Sequence, residues 1–340
     1  IRFDPSVTQV SLTDALPNLT ATGTKIQGLT PDGNTYLRPR IDGAGMTSTF
    51  CSDGFTIAAN NVELSALTIV NLRPASLLVN YACADVLVLS GSGSVIENNL
   101  LGETIGSAGC DSDAVTRNAS YGIRLLANSA GGPGSPIARI SMNTIGCHSR
   151  SGIHIENGAD YVSILPIPNS LPVFPNLIGT DYTGTQARPN GVGISTGPSN
   201  ASTYTNGLVI ATNLISGNLN DGINLSGSGA TGNLVEGNYI GTNAAGTAAL
   251  ANGVGIAAYA STTTIGGSAA GAGNLIGGNS LGVLVSTGSG SVSVNGTVVQ
   301  TIQPDHLVQT PLGLQYTGTL TGLSPTVAGH LEFSRTIQGF

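Results

Sequence analysis

The chain has 340 residues, of which 40% are hydrophobic and only 9% are charged, and its formal net charge at pH 7 is −7. This charge disfavours a nucleic-acid partner, because phosphate binding needs a basic stripe. No apolar run reaches the length of about 18 residues that a membrane span requires. The first residue is Ile1 rather than methionine, which predicts a processed or excerpted product whose signal peptide, if any, is missing.

The N-terminal segment, residues 1–30, contains the stretch VTQVSLTDALP but not the repeat that is found further along the chain. Alternation of apolar and polar residues is typical of a half-buried strand. We therefore predict a strand-rich cap over residues 1–30, followed by a repeat domain over residues 31–288.

Two sequence words recur through the repeat domain. One is Gly, apolar, any residue, apolar, and the other is Asn, two mostly apolar residues, then Gly or Ser. The first word is assigned to Gly122, Gly152, Gly191, Gly222, Gly253 and Gly282, and the second to Asn99, Asn143, Asn176, Asn213, Asn238 and Asn274. Short strands that recur about every thirty residues predict a solenoid of β coils. Helical repeats are disfavoured, because each glycine would cost a helix about 1 kcal/mol relative to alanine.

The geometry of a β coil predicts where each recurring residue lies in the fold. The apolar residues of a strand point inward and the residue between them points outward. Glycine and asparagine belong at the corners, where left-handed backbone angles are needed, and stacked asparagines can hydrogen-bond along the axis as a ladder. The predicted inward residues are Ile123, Leu125, Ile153, Ile155, Val192, Ile194, Ile223, Leu225, Val254 and Ile256.

Two longer stretches, PNLIGTDYTGTQARPNGVGIS and GNYIGTNAAGTAALANGVGIA, correspond to each other without a gap. Together with the entry stretch IRFDPSVTQVSLTDALPNLTATGTKIQGL, they resemble bacterial surface and secreted proteins made of right-handed parallel β-helix repeats. The resemblance covers roughly residues 1–288 and implies an all-β, right-handed parallel β-helix with non-repeat β caps at both ends. It does not specify an activity, because that group includes adhesins, passenger domains, structural proteins and polysaccharide-acting enzymes.

The four cysteines, Cys51, Cys83, Cys110 and Cys147, lie in the first half of the chain. Each sequential pair is separated by roughly one coil, and residues one coil apart lie about 4.8 Å apart, within the Cα range of a disulfide. The spacing favours bridges between Cys51 and Cys83 and between Cys110 and Cys147. Four buried free thiols are the alternative, and zinc is disfavoured because no CxxC pair occurs.

The loop GCDSDAVTRN offers Asp111 and Asp113 as oxygen ligands for calcium. Calcium needs six or more oxygens, and neither the EF-hand spacing nor the GGxGxD nonapeptide occurs here. An ordinary polar turn is therefore the alternative, and no other cofactor is predicted. His148 and Arg150 flank a bend and are interpreted as a solvated corner.

Three residues come closest to a catalytic constellation. His154 and Glu156 are two residues apart on one strand and share its outward face, and the repeat places Arg124 beside His154 on the preceding coil. A cation, an imidazole and a carboxylate on one face could bind a uronic acid and move a proton. A solvated strand face with an incidental salt bridge is the alternative.

Five Asn-x-Ser/Thr sequons make glycosylation a further hypothesis, although several will occur by chance in so polar a chain. The acceptor residues are Asn18, Asn118, Asn200, Asn224 and Asn295. From residue 289 the repeat is lost, and VSVNGTVV around Asn295 predicts a β-hairpin. Residues 289–340 are interpreted as a C-terminal β cap or small β extension.

These observations favour a non-catalytic extracellular or cell-surface protein with a structural or adhesive role. Its partners would be surface glycans or further copies of itself, since uncapped solenoid ends can pair head to tail into filaments. The alternative is a polysaccharide-acting lyase, hydrolase or epimerase with a site on an outward face. The motifs NTD, GHG, RIK and DPHD of related enzymes are missing, and with aromatic residues at 4% and no tryptophan a sugar-stacking cleft is disfavoured.

Overall fold

Short strands account for nearly all regular structure in the computed structural model. A 3-10 helix at Gly43–Gly45 is the one helical element among the residues that it describes. Those residues are 1–33, 35–46, 52–72, 82–103, 109–110, 118–126, 131–132, 136–156, 158–167, 175–197, 205–227, 230–259, 262–286, 292–295 and 298–300.

The strands are numbered in chain order. The first nine are β1 (Gln9–Ser11), β2 (Lys25–Gln27), β3 (Arg40–Asp42), β4 (Phe55–Ala58), β5 (Glu63–Ser65), β6 (Thr68–Val70), β7 (Ala84–Ser90), β8 (Ser94–Glu97) and β9 (Leu100–Leu101). The next nine are β10 (Tyr121–Leu125), β11 (Ala138–Ser141), β12 (Thr144–Ile145), β13 (Ser151–Glu156), β14 (Ser163–Ile164), β15 (Leu177–Ile178), β16 (Val192–Gly197), β17 (Val209–Ala211) and β18 (Leu214–Ile215). The last nine are β19 (Asp221–Ser226), β20 (Asn233–Glu236), β21 (Tyr239–Ile240), β22 (Val254–Tyr259), β23 (Thr263–Gly266), β24 (Leu275–Gly277), β25 (Leu281–Ser286), β26 (Val292–Asn295) and β27 (Val298–Gln300).

The strands form three parallel sheets, and from β3 onward each coil of the chain adds one strand to each sheet in turn. Sheet A runs β1-β3-β6-β9-β12-β15-β18-β21-β24-β27, sheet B runs β4-β7-β10-β13-β16-β19-β22-β25, and sheet C runs β2-β5-β8-β11-β14-β17-β20-β23-β26. The chain is therefore a right-handed parallel β-helix, as predicted.

Both ends of the described chain continue the coils. β1 pairs with β3 and β2 pairs with β5, so the segment predicted as an N-terminal cap supplies the first coil. At the other end, β26 pairs in parallel with β23 and β27 with β24. The predicted hairpin at Asn295 is therefore wrong, because the two strands lie in different sheets and do not pair with each other. Residues 301–340 of the predicted C-terminal cap lie outside the described residues.

Apolar side chains from all three sheets fill one continuous core along the axis. Eight of the ten predicted inward residues lie within it, and their exposure is 1% or less. Val192 and Val254 are the exceptions, because both are only half-buried. Their positions show that the repeat was aligned incorrectly at those two coils.

The strand pairing gives the correct register. Ile153 pairs with Ile194, and His154 pairs with Ser195. The glycine equivalent to Gly152 is therefore Gly193 and not Gly191, and the same shift replaces Gly253 by Gly255. The stretch NGVGI contains two glycines, and spacing alone did not distinguish them.

Glycine is required at these strand positions because the backbones of adjacent coils approach each other closely there. An unusual backbone angle is not the reason. A Cβ atom built on Gly193 would lie 2.4 Å from the carbonyl oxygen of Gly222 on the next coil, while the φ of Gly193 is not left-handed. The corner glycines differ, because Gly179, for example, has a φ of +91°. The left-handed interpretation of the corners is thus right for glycines such as Gly179, whereas the ladder asparagines do not have a left-handed φ.

The predicted asparagine ladder is confirmed. Each carboxamide nitrogen donates to the carboxamide oxygen of the asparagine on the next coil, over 2.8 to 3.1 Å, and every member is 2% exposed or less. The ladder runs through Asn99, Asn143, Asn176, Asn213, Asn238 and Asn274. It satisfies polar groups that would otherwise be buried without partners.

A second ladder, which the sequence analysis missed, lies at the corner before sheet B. Its side chains join over 2.9 to 3.0 Å. The members are His148, Asn190, Asn218, Asn252 and Asn279. His148 is 1% exposed, so the prediction of a solvated corner is wrong at this residue.

The tautomer of His148 follows from its two partners. The carboxamide oxygen of Asn190 faces His148 Nδ1 at 3.0 Å, so Nδ1 carries a proton and donates it. On the other side, His148 Nε2 lies 2.9 Å from Asp85 Oδ2, and both side chains are 0% exposed. Burial raises the pKa of Asp85, and His148 opposes that rise. His148 Nε2 and Asp85 Oδ2 are therefore joined by a hydrogen bond inside the buried corner.

The longer repeat unit differs from the shorter one by a loop that covers the outside of sheet A. Thr180 bridges to Ala187, and Thr242 bridges to Ala249. The two loops contact each other, because the Ala244 amide donates to the Gly184 carbonyl over 2.9 Å. Alternate coils carry the loops, so each loop spans the short coil between them.

The predicted bridge between Cys110 and Cys147 is present, with a Cα–Cα distance of 5.5 Å. Cys83 is also a disulfide cysteine, whereas Cys51 lies outside the described residues. A search for a helix long and apolar enough to cross a membrane finds none in the described part of the chain.

Candidate functional site

An open groove crosses sheet B over four successive strands, β10, β13, β16 and β19, with a cavity volume of about 370 Å³. Hydroxyl, amide, guanidinium and imidazole groups line it, because the outward positions of these strands carry polar residues. Its principal residues are Tyr121, Arg150, Ser151, His154, Ser195 and Asn224.

The structure brings the three predicted catalytic residues together at one side of this groove. Arg124 pairs with His154 across β10 and β13, as the sequence predicted. The guanidinium of Arg124 donates to Glu156 Oε1 from Nε over 3.0 Å and from Nη2 over 2.6 Å. A third donation, from Nη1 to the Ala82 carbonyl over 2.8 Å, fixes the guanidinium further.

This ion pair limits what Arg124 and Glu156 can do. Their side chains are 23% and 6% exposed, so the guanidinium and the carboxylate are held together largely out of solvent. Glu156 Oε1 already accepts two charge-assisted hydrogen bonds from Arg124. We therefore assign the pair to holding the wall of the groove in place and not to proton transfer.

His154 is held on three sides. Its Nδ1 lies 2.8 Å from Ser195 Oγ, its Nε2 lies 3.8 Å from Glu156 Oε1, and its ring stacks on Tyr121 with centroids 4.9 Å apart. Gly197 leaves the space for the ring, because a Cβ there would lie 2.8 Å from the imidazole Cε1. These contacts give the imidazole one defined orientation.

The surroundings of His154 keep it neutral. The pKa of His154 lies at about 4 instead of 6.5, chiefly because the ring is buried; the charge of Glu156 opposes this shift, and the charges of Arg124 and Arg150 add to it. At neutral pH the ring therefore carries one proton and can accept another. A neutral imidazole beside a hydroxyl can act as a general base.

Ser195 connects His154 to a second serine. The Ser195 hydroxyl lies 2.8 Å from Ser151 Oγ, so Ser151, Ser195 and His154 form a chain of hydrogen bonds across β13 and β16. Ser195 was not predicted as a site residue, because the misaligned register placed Gly193 beside His154. The dipeptide Gly-Ile, which recurs at Gly122, Gly152 and Gly193, is the signal that gives the correct alignment.

Arg150 and Tyr121 adjoin His154 in the groove. Arg150 Nη1 donates to the Tyr121 hydroxyl over 2.9 Å. The guanidinium carbons of Arg124 and Arg150 lie 5.6 Å and 5.7 Å from the Tyr121 ring centroid. The ring is 5% exposed, so it supports the groove and does not offer a face for stacking.

No protein-family model matches the chain, and no curated protein matches it. A solved structure that it resembles is that of a mutant of the periplasmic alginate epimerase AlgG, at 16% sequence identity and a TM-score of 0.33. The similarity covers 83% of this chain and 66% of that chain, just under two thirds of its length.

The remaining predicted sites have different outcomes. Asp111 and Asp113 lie outside the described residues, and the described residues hold no group of three or more side chains that could bind a metal, so calcium stays a prediction. Asn118 is 1% exposed, and its Nδ2 donates to the Gly102 carbonyl over 2.6 Å. That sequon is therefore not accessible in the folded chain.

Among the other sequons, Asn18 is exposed and Asn224 lines the groove. Asn200 lies outside the described residues, and Asn295 ends strand β26. Glycosylation at these four positions stays a prediction. Asn18 is the one exposed acceptor among the sequon asparagines whose burial the structure describes.

The low pKa of His154 predicts a loss of stability in acid. The unfolded chain binds a proton at the ordinary pKa of 6.5, whereas the folded chain binds it only near 4. The stabilisation from neutral His154 is therefore complete above pH 6.5 and is lost as the pH falls towards 4. In His154→Asn we expect a smaller loss of unfolding free energy between pH 6.5 and 4 than in the wild type.

Urea denaturation at several pH values measures this difference. Buried carboxyls such as Asp85 and Glu103 also have raised pKa values and contribute with the opposite sign, so only the difference between wild type and variant reports on His154. Equal pH dependence in the two proteins would contradict the neutral, buried state of the imidazole.

Proposed function

We propose that the chain is an extracellular structural or adhesive protein that binds glycans in the groove on sheet B. The observation that carries this proposal is the groove itself, where polar side chains from four coils face one open channel. Consecutive coils lie about 4.8 Å apart, so equivalent groups recur at a regular spacing along the axis. An extended, repeating polymer suits such a surface.

The lining indicates the chemistry of the ligand. Ser151, Ser195 and Asn224 offer hydroxyl and amide groups that suit sugar hydroxyls. Arg150 adds a cation whose planar fork matches a carboxylate. Because Tyr121 is buried, recognition depends on hydrogen bonds and charge and not on aromatic stacking. We therefore expect acidic polysaccharides to bind more tightly than neutral ones.

An extracellular location agrees with the covalent chemistry of the chain. Disulfides form and persist in oxidising compartments, and this chain contains the bridge between Cys110 and Cys147. The low content of charged residues, 9%, suits a protein that contacts surfaces or further copies of itself. Head-to-tail assembly stays a prediction, and electron microscopy of native material tests it.

Binding to polygalacturonate, alginate and neutral dextran by affinity electrophoresis tests the proposal. We expect retardation by the two acidic polymers, and we expect Arg150→Ala to weaken it about tenfold. Arg139→Ala is the matched control, because it removes the same charge from sheet C, outside the groove. Equal binding by both variants, or no retardation by any polymer, would reject the groove as the binding site.

The second candidate function is a polysaccharide-acting enzyme, and one observation favours it. His154 is neutral and lies 2.8 Å from the Ser195 hydroxyl within the groove. Turnover of uronate polymers by wild type and His154→Ala distinguishes the two functions. Activity that is lost in this variant would make the enzyme the better description.

A further inference from the structure

The hydroxyl of Ser195 and the imidazole of His154 lie in the groove, and the carboxylate of Glu156 lies behind the imidazole at its wall. Ser195 Oγ lies 2.8 Å from His154 Nδ1, and His154 Nε2 lies 3.8 Å from Glu156 Oε1. A nucleophile beside a base that a third group orients is the arrangement used in nucleophilic catalysis. The groups come from two strands on adjacent coils, β13 and β16. Their proximity can therefore be predicted from the sequence only if the two coils are aligned in the correct register.

We propose that Ser195 is the nucleophile of an ester hydrolase that removes acyl groups, such as acetyl, from glycans bound in the groove. This inference rests on the proposed glycan binding and adds a reaction class to it. Ser195 and His154 are the catalytic residues. Glu156, Ser151 and Gly197 are positioning residues, which act through the imidazole or the serine hydroxyl.

The reaction balances with water as the only co-reactant. Ser195 Oγ attacks the ester carbonyl carbon while its proton passes to His154 Nδ1. The tetrahedral intermediate collapses, the bond to the sugar oxygen breaks, and His154 returns the proton to that oxygen. Water then attacks the acyl-serine, His154 accepts its proton and gives it to Ser195 Oγ, and the carboxylic acid leaves.

The hydrogen bonds around Ser195 suit this role. When Ser151 donates to Ser195 Oγ, the Ser195 proton points at His154 Nδ1. The Nε2–H of His154 then faces Glu156, whose negative charge stabilises the imidazolium that forms. Gly197 is required because any Cβ there would enter the space of the imidazole ring.

The pH profile of the reaction follows from the groups that face His154. These are Glu156 on its own strand, Arg124 and Tyr121 on β10, Arg150 before β13 and Ser195 on β16. His154 has to be unprotonated to accept the serine proton, and its pKa is about 4. We expect kcat/KM to rise through about pH 4 and to stay level from pH 5.5 to 8.

Two probes test the proposal directly. We expect a fluorophosphonate to label Ser195, as located by peptide mass spectrometry, and 4-nitrophenyl acetate to be hydrolysed. Ser195→Ala and His154→Ala should each reduce hydrolysis by about 100-fold or more. Ser280→Ala is the control, because this exposed serine precedes β25, beyond the groove.

Glu156→Gln separates positioning from folding. Its carboxylate raises the pKa of His154, so its removal should move the acidic limb of the pH profile to lower pH. A merely structural role would lower activity without moving that limb. Circular dichroism confirms that each variant is folded before its activity is compared.

The outcomes distinguish this inference from glycan binding. Ser195→Ala that still binds acidic polysaccharide but does not react with the probes supports both proposals. Folded wild type that binds polysaccharide but is not labelled at Ser195 overturns the hydrolase and leaves the binding function. Hydrolysis that persists in Ser195→Ala also overturns it, because the nucleophile would then lie elsewhere.

Discussion

Replacing Asn143 by alanine is expected to lower the free energy of unfolding by about 4 kcal/mol, since each buried polar group left without a partner costs about 1–3 kcal/mol. The carboxamide oxygen of Asn143 accepts from both the backbone and the side chain of Asn99, each over 3.0 Å. Its Nδ2 donates to the Ile96 carbonyl over 2.9 Å and to Asn176 over 3.1 Å. Alanine removes all of these bonds at a position that is 0% exposed.

Urea denaturation followed by circular dichroism measures this effect. Asn60→Ala is the matched control, because Asn60 is exposed and its carboxamide oxygen accepts a backbone hydrogen bond from Ser92 over 2.9 Å. We expect the control to lose less than about 1 kcal/mol. Similar losses in both variants would show that the ladder adds nothing beyond an ordinary exposed asparagine.

The fold was predictable because its determinants are local and repeated. In a strand such as Gly152-Ile153-His154-Ile155, the alternation of apolar and polar residues is enough to predict which side chains point inward and which point outward. The ladder asparagines recur at the same position of a short sequence motif. They therefore lie above one another once the coils are stacked. Cys110 and Cys147 pair for the same reason, since each lies near the same place in successive coils.

The candidate site was only partly predictable, because it depends on contacts between coils whose lengths vary. Arg124 and His154 were placed correctly, since the two coils that hold them have the same register in sequence and structure. The next coil carries a long loop, and its two glycines gave two possible alignments. Choosing Gly191 concealed Ser195, which the structure places beside His154.

His148 shows a second limit of sequence patterns. Its neighbours in sequence, in GCHSRSG, are those of a solvated bend. Its partner Asp85 lies two coils away along the axis, and the pair is fully buried. A histidine that takes the place of asparagine in a ladder has no local signature. Only the position of Asn190 in the next coil reveals it.

Gly193→Ala is expected to destabilise the chain by about 3 kcal/mol, at the upper end of what overpacking costs in a filled interior. The added Cβ would lie 2.4 Å from the Gly222 carbonyl oxygen and 2.8 Å from Ile215 Cγ2. The first of these contacts is with backbone, which cannot turn away as a flexible side chain would. The coils that carry β16 and β19 therefore have to separate, which also displaces Ser195 in the groove.

Gly132→Ala is the control for this prediction, because a Cβ there meets nothing within 4 Å and its φ is not left-handed. We expect the control to unfold at the same urea concentration as the wild type or slightly above it, since alanine restricts the unfolded chain. Gly193→Ala should unfold at a clearly lower concentration and bind acidic polysaccharide more weakly. If Gly193→Ala is as stable as the wild type, the coils tolerate a wider spacing. The close approach of Gly193 to Gly222 would then not explain why this strand has a glycine.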